Sequence, residues 1–198
     1  MTCTRPDESN NVGPINADSS KYGFEQGPMG WEVQTMDDSK AFASLRISEV
    51  PRFGNKSLEV TVGLTKGDPD SSKGEVWVNW QKAPHESLPV PADLESLELT
   101  AYVFAPPGSG GPESSPNGLQ VFVKDSEWRS EYGTWKNITE NYWNKVSLKV
   151  SRTRPDAGHM DSGFDPAAII AIGLKMGVGS GGDTEFHGKI LLDGVDWK

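Results

Sequence analysis

Glu75-Val76-Trp77-Val78-Asn79-Trp80-Gln81 alternates without a break. Val76, Val78 and Trp80 point one way, and Glu75, Trp77, Asn79 and Gln81 the other. A period of two is the mark of a β-strand with one apolar face. Leu119-Gln120-Val121-Phe122-Val123-Lys124 repeats it, with Leu119, Val121 and Val123 against Gln120, Phe122 and Lys124. Each strand has one plain core face. The opposite face mixes a ring with amides and charges, and a merely solvated face has no use for the ring.

The same period runs outward from these two strands. Ala41–Ile47 and Ser57–Leu64 alternate, and further strands are expected over 96–104, 145–150, 169–176 and 189–195. In the first of these, Leu97, Leu99, Ala101 and Val103 oppose Glu98, Thr100, Tyr102 and Phe104. Turn chemistry fills the gaps: Gly67-Asp68-Pro69-Asp70, Pro106-Pro107-Gly108-Ser109-Gly110-Gly111-Pro112 and Gly179-Ser180-Gly181-Gly182. Only Asp165-Pro166-Ala167-Ala168-Ile169 carries a helix signal, an Asp cap followed by Pro, enough for one short turn. Residues 21–198 are therefore expected to form an all-β domain, a jelly-roll sandwich of two antiparallel sheets. Residues 1–20, MTCTRPDESNNVGPINADSS, are polar and read as a flexible tail or linker. Such a linker suggests a domain that belongs to a longer protein.

The formal net charge of −9 argues against a nucleic-acid partner and against docking on anionic membranes. No apolar run reaches the roughly 20 residues of a membrane-spanning helix. The single cysteine, Cys3, leaves no disulfide framework. It reads as an inert thiol or, less simply, as the lipidated residue of an exported protein. His85, His159 and His187 are scattered, and no metalloprotease, nucleophile-elbow or phosphate-loop pattern occurs. A pair of catalytic carboxylates has no fixed spacing, so the acidic residues leave glycosidase chemistry open.

Seven tryptophans in a chain only 35% hydrophobic need a use beyond the core. An indole packs on the C–H face of a sugar ring, while amides and charges meet the hydroxyl rim. Trp77, Asn79, Gln120, Lys124, Trp128 and Trp135 supply that mixture and are the candidate ligand-binding residues. Trp31, Trp80 and Trp143 are expected in the core, and Trp197 at the end of the domain. Trp77 and Trp135 are balanced between core and groove. Trp128, inside Asp125-Ser126-Glu127-Trp128-Arg129-Ser130, is expected on the surface.

Two acids suggest a metal. Glu25 opens the expected first strand and Asp193 lies in the expected last one, where Asp is disfavoured. If these strands lie side by side, the two carboxylates meet and can share a calcium ion.

Three stretches together resemble a known family. They are Gly23-Phe24-Glu25, the run from Gln120-Val121-Phe122-Val123-Lys124-Asp125 through Trp128, Trp135 and Trp143-Asn144-Lys145, and the run from Phe164-Asp165-Pro166 to Leu192-Asp193-Gly194-Val195. They look like the β-jelly-roll, galactose-binding-domain-like carbohydrate-binding modules of plant-cell-wall hydrolases, most like the mannan-binding family 27 modules of mannanases. The resemblance covers about Tyr22 to Trp197. It implies a non-catalytic, monomeric, secreted module, its signal removed or outside this sequence, linked to a glycoside hydrolase. It also implies a concave groove for β-mannan, glucomannan or another β-glycan, and a structural Ca²⁺ at Glu25 and Asp193. The loops at 106–117 and 67–73 depart from the pattern and would lid or shorten the groove. A catalytic jelly roll (lyase or glycosidase) and a protein-interaction sandwich are the alternatives.

Overall fold

A computed structural model describes residues 19–35, 39–82, 89, 93–153, 158–179 and 184–198. Twelve strands run β1 Trp31–Val33, β2 Phe42–Ser48, β3 Ser57–Thr65, β4 Lys73–Asn79, β5 Glu98–Ala105, β6 Gly118–Asp125, β7 Ser130–Tyr132, β8 Lys136–Asn137, β9 Tyr142–Lys149, β10 His159–Met160, β11 Ile169–Gly177 and β12 Glu185–Trp197. They form two antiparallel sheets. One has the order β1-β4-β11-β6-β7-β10, with β8 also paired to β6, and the other β2-β3-β12-β5-β9. The fold is the all-β sandwich that the alternation predicts.

The two sheets bury their apolar faces against each other. Val76, Val78 and Trp80 meet Leu119, Val121, Val123, Ile172 and Leu174 in one core with Leu58, Val60, Leu99, Val103, Leu148, Ile190 and Leu192. Trp31 and Trp80 are core residues, as expected. The Trp80 indole donates to the Tyr22 hydroxyl (2.9 Å), and burial pushes that phenol up to about 12. Trp197 packs beside Tyr22 and Trp80, with ring centroids 6.2 and 6.4 Å away. The expected turn exists as a 3₁₀ turn, Pro166–Ala168, whose N-cap Asp165 accepts from the Ala167 amide.

Two expectations change. Trp143 is not core: it lies half-buried on the outer face of the five-stranded sheet, 5.8 Å from Phe104. Its parity puts it with Lys145 and Ser147, whereas Val146 and Leu148 point inward. Glu25 does not open a strand but sits in a turn, closed by the Gly27 amide on the Phe24 carbonyl. The start of the described chain does meet β12, through a two-bond bridge between Tyr22 and Val195 (3.0 and 3.1 Å). The strands β7, β8 and β10 have only two or three residues, too few to show a period. Cys3, His85 and residues 1–18 of the expected tail lie outside the described residues.

Several carboxylates tie the surface together. Burial alone would raise the Asp196 pKa, but Lys21 at 2.8 Å and Lys198 at 3.0 Å outweigh it and hold the group below its ordinary value. The Glu25 carboxyl is held low mainly by the amide of Asn55. Groups with lowered folded pKa values stabilise above their unfolded pKa, and that contribution is lost as pH falls. The melting temperature should therefore decline as pH drops below about 4, a trend that calorimetry at stepped pH reads directly.

Candidate carbohydrate-binding face

The outer face of the seven-stranded sheet gathers the residues that a core does not need. Register sets them in rows across β4, β11 and β6. Asn79, Ala171 and Lys124 form one row, Trp77, Gly173 and Phe122 the next, then Glu75, Lys175 and Gln120, then Lys73, Gly177 and Gly118. Tyr132 of β7 extends the second row beside Phe122. Trp77, Phe122 and Ala171 form an aromatic patch separate from the main core, with Tyr132 packed against it.

Glycine at 173 makes this patch possible. A Cβ there would collide with the Phe122 ring and would lie 2.6 Å from the Val76 carbonyl oxygen. Phe122 can therefore lean across β11 toward Trp77. Gly173→Ala is expected to lower stability by about 1–3 kcal/mol through overpacking. Chemical denaturation should show it, and an unchanged midpoint would mean that Phe122 is free to move.

Trp128 is the tryptophan of this face most open to solvent. It is 46% exposed, and its centroid lies 5.8 Å from that of Trp77. The turn after β6 presents it, with Trp128 itself at φ 63°, an uncommon conformation for a bulky residue. Asp125 over-determines that turn. Fully buried, it accepts from the amides of Glu127 (2.9 Å), Arg129 (3.0 Å) and Asp165 (2.9 Å), and from the Arg129 Nε (2.9 Å). These bonds fix the turn that sets Trp128 beside Trp77.

Trp77 itself is only 3% exposed. Its indole N–H donates to Glu32 (3.2 Å), and Lys82 and Lys124 lie 5.9 and 5.8 Å from its ring. Lys124 also donates to Ser130 Oγ (3.1 Å) and lies 5.4 Å from the Phe122 ring. Asn79 is buried on the same face. Its Oδ1 accepts from the Gln81 amide, while its Nδ2 has no partner among the described residues.

Further along the face, Tyr132 donates to the buried Glu75 (2.9 Å) and lies 4.8 Å from the Lys175 ammonium. Burial, then the Glu75 charge, raises the Tyr132 pKa far above its ordinary value, so this phenol acts as a donor and not as a base. Asp161 accepts from the Ser130 amide (2.7 Å) and faces His159 at 2.9 Å. Burial would raise its pKa, but these bonds outweigh it and leave the carboxyl below its ordinary range. Gln120 donates to the Gly133 carbonyl (2.7 Å), and Trp135 covers Gly118 and Gly177 at the far end. From Lys124 to Gly118 the face spans about 20 Å.

All six sequence candidates, Trp77, Asn79, Gln120, Lys124, Trp128 and Trp135, thus share one face. Sequence reasoning missed Tyr132, Lys82, Glu32, Glu75 and Lys175 as members of it. The period in β4 already pairs Glu75 with Trp77, and that parity is the signal that could have found Glu75. The loop at 67–73 bonds Val178 through the Ser72 carbonyl, and the loop at 106–117 closes on itself through Asn117 and Gly110. These contacts belong to the end near Gly118 and Gly177.

Glu25 and Asp193 come to a single loop on another part of the surface. Asp193 is fully buried and accepts from the amides of Arg52 (2.7 Å), Phe53 (2.9 Å) and Gly194 (2.7 Å). Glu25 accepts from the amides of Asn55 (2.5 Å) and Lys56 (3.1 Å). The donor set is all oxygen, which suits a hard cation. An ion here would take lone pairs that now face amides. Among the described residues no three His, Cys, Asp or Glu side chains gather as a metal cluster.

Comparison with solved structures places the architecture. One neighbour was described as the "structural basis for the promiscuous specificity" of carbohydrate-binding modules of the β-sandwich superfamily. It matches with a TM-score of 0.60 at 16% identity, over 92% of this chain and 62% of its own. The two share a β-sandwich fold. A second neighbour is the Clostridium thermocellum endo-1,4-β-D-xylanase 10B, its CBM22-1 and GH10 modules complexed with xylohexaose. It matches with a TM-score of 0.51 at 15% identity, over 93% of this chain and 28% of that one. The chain thus spans less than two thirds of either neighbour. No family model and no curated protein sequence matches this chain. Within the module fold, the face described above is one broad side of the sandwich.

Proposed function

We propose that the chain is a carbohydrate-binding module that holds a β-linked polysaccharide on the outer face of its seven-stranded sheet. The observation that carries this reading is the exposed Trp128 ring, held beside Trp77 by the buried Asp125 on a face that also presents Asn79, Gln120 and Lys124. Trp128 and Trp135 stack on sugars at the two ends, and the polar groups between them meet hydroxyls. β-Mannan or glucomannan is the polymer that the sequence resemblance favours. β-Xylan is the second reading, favoured by the neighbour complexed with xylohexaose. The module is secreted, monomeric and joined to a glycoside hydrolase in this reading, and has no chemistry of its own.

Native affinity electrophoresis on gels carrying galactomannan, glucomannan, xylan or mixed-linkage glucan tests it. Retardation in the mannan gels alone is expected for a mannan module, and retardation by xylan alone would move the ligand. Migration unchanged in every gel would contradict the reading.

Calcium at Glu25 and Asp193 is a separate part of the proposal, supported by two carboxylates closing on one loop. Calcium at about a hundred times its Kd should add roughly 2.7 kcal/mol, about 5–10 °C for a domain of this size. A metal-free sample that melts at the calcium-loaded temperature would leave the amides as the only clamp.

A further inference from the structure

Two lysine ammoniums sit beside an indole of the outer face. Lys82 and Lys124 lie 5.9 and 5.8 Å from the Trp77 ring, which is only 3% exposed, with Phe122, Ala171 and Trp128 also packed against it. A sugar that stacks on Trp77 must move both ammoniums aside. The displaced lysines then look for new acceptors. A neutral sugar offers hydroxyls. A carboxylate offers each ammonium a charged, shorter and stronger bond.

The neighbouring groups point the same way. The carboxylates already on this face have donors: Glu32 takes the Trp77 N–H and Lys82 (3.5 Å), Glu75 takes Tyr132, and Asp161 takes Ser130 and His159. Lys124 bonds a hydroxyl, lies over two rings and is near enough to Asp161 to help hold that carboxyl low, but makes no ion pair with a carboxylate among the described residues. One row from Trp77 and level with Lys124, the buried Asn79 Nδ2 is a donor with no acceptor among the described residues. Only the Ala171 methyl stands between the Asn79 and Lys124 strands, which lie about 10 Å apart. In a chain of net charge −9, two ammoniums beside one ring, with the unpartnered Asn79 amide one row away, form a local cluster of donors.

We infer that the polysaccharide carries uronate groups, and that Lys82, Lys124 and the Asn79 amide seat a uronate carboxylate against Trp77. The inference rests on the carbohydrate-binding reading and, within it, favours an acidic β-xylan over the neutral mannans. Trp128 supplies stacking for any sugar, and the seat beside it selects the acidic one.

The test is calorimetric titration with glucuronoxylan and with the same polymer after its carboxyl groups are reduced to alcohols. The wild-type protein should bind the acidic polymer about tenfold more tightly than the reduced one, and added salt should shrink that ratio. In the double variant Lys82→Gln/Lys124→Gln, checked for an unchanged melting temperature, the ratio should fall to about one. Equal wild-type affinity for the two polymers would overturn the uronate seat and leave the carbohydrate-binding reading standing. Failure to bind either of them, or mannan or mixed-linkage glucan, would overturn both.

Discussion

Trp128→Ala should cut affinity for the bound polysaccharide by about 30- to 100-fold, with the melting temperature nearly unchanged. Trp128 is the most exposed tryptophan of the face, at 46%, so its removal leaves no cavity in the core. Binding faces of this kind concentrate their energy in a few aromatic anchors, each worth about 2 kcal/mol or more. Glu127, the exposed neighbour in the same turn, makes a control of equal exposure class, and Glu127→Ala should change affinity by less than about threefold. Equal losses in the two variants would mean that the ring is not an anchor. Titration of each variant against the polymer that retards the wild type decides between these outcomes.

Asp125→Ala should be the most damaging single change in the region, for a different reason. Its carboxylate is fully buried and receives three amides and the Arg129 guanidinium. Truncation leaves four donors without an acceptor, one of them charged. Arg129 is about a third exposed and its charge re-solvates, so the cost is that of the stranded amides, about 3–5 kcal/mol together. For a domain of this size that is a fall of about 6–20 °C in melting temperature. Affinity should fall with it, because the Asp125 carboxylate adds the side-chain bonds that fix the turn carrying Trp128 at its positive φ, beyond the Trp128 and Asp125 backbone bonds of that turn. Asp125→Asn keeps the shape and some acceptor capacity, so it should lie between the wild type and the alanine variant. A melting temperature within about 2 °C of wild type for Asp125→Ala would show that the turn holds itself.

Much of this was legible in the sequence, because period two assigns each side chain to a face before any strand order is known. Trp77 shares parity with Glu75 and Asn79, and Phe122 with Gln120 and Lys124. All six do lie on the outer face. Trp143 was misread because its size was weighed above its parity, which already set it with Lys145 and Ser147. What periodicity does not carry is the identity of the neighbouring strand. That Lys124 reaches Trp77 follows from β11 lying between β4 and β6, with Gly173 and Ala171 as its small outward residues. Tyr132 was hidden by the shortness of β7. Asp125 reads in sequence as one more loop acid, and only its burial shows that it builds the turn under Trp128.

The central claim is that a sugar chain lies against Trp128. Intrinsic tryptophan fluorescence tests it most directly, comparing wild type with Trp128→Ala during titration with xylohexaose and with mannohexaose. The account predicts a saturable change in the wild-type spectrum with at least one of the two, and its loss in the variant. A wild-type spectrum indifferent to both oligosaccharides, or an identical change in the variant, would contradict it.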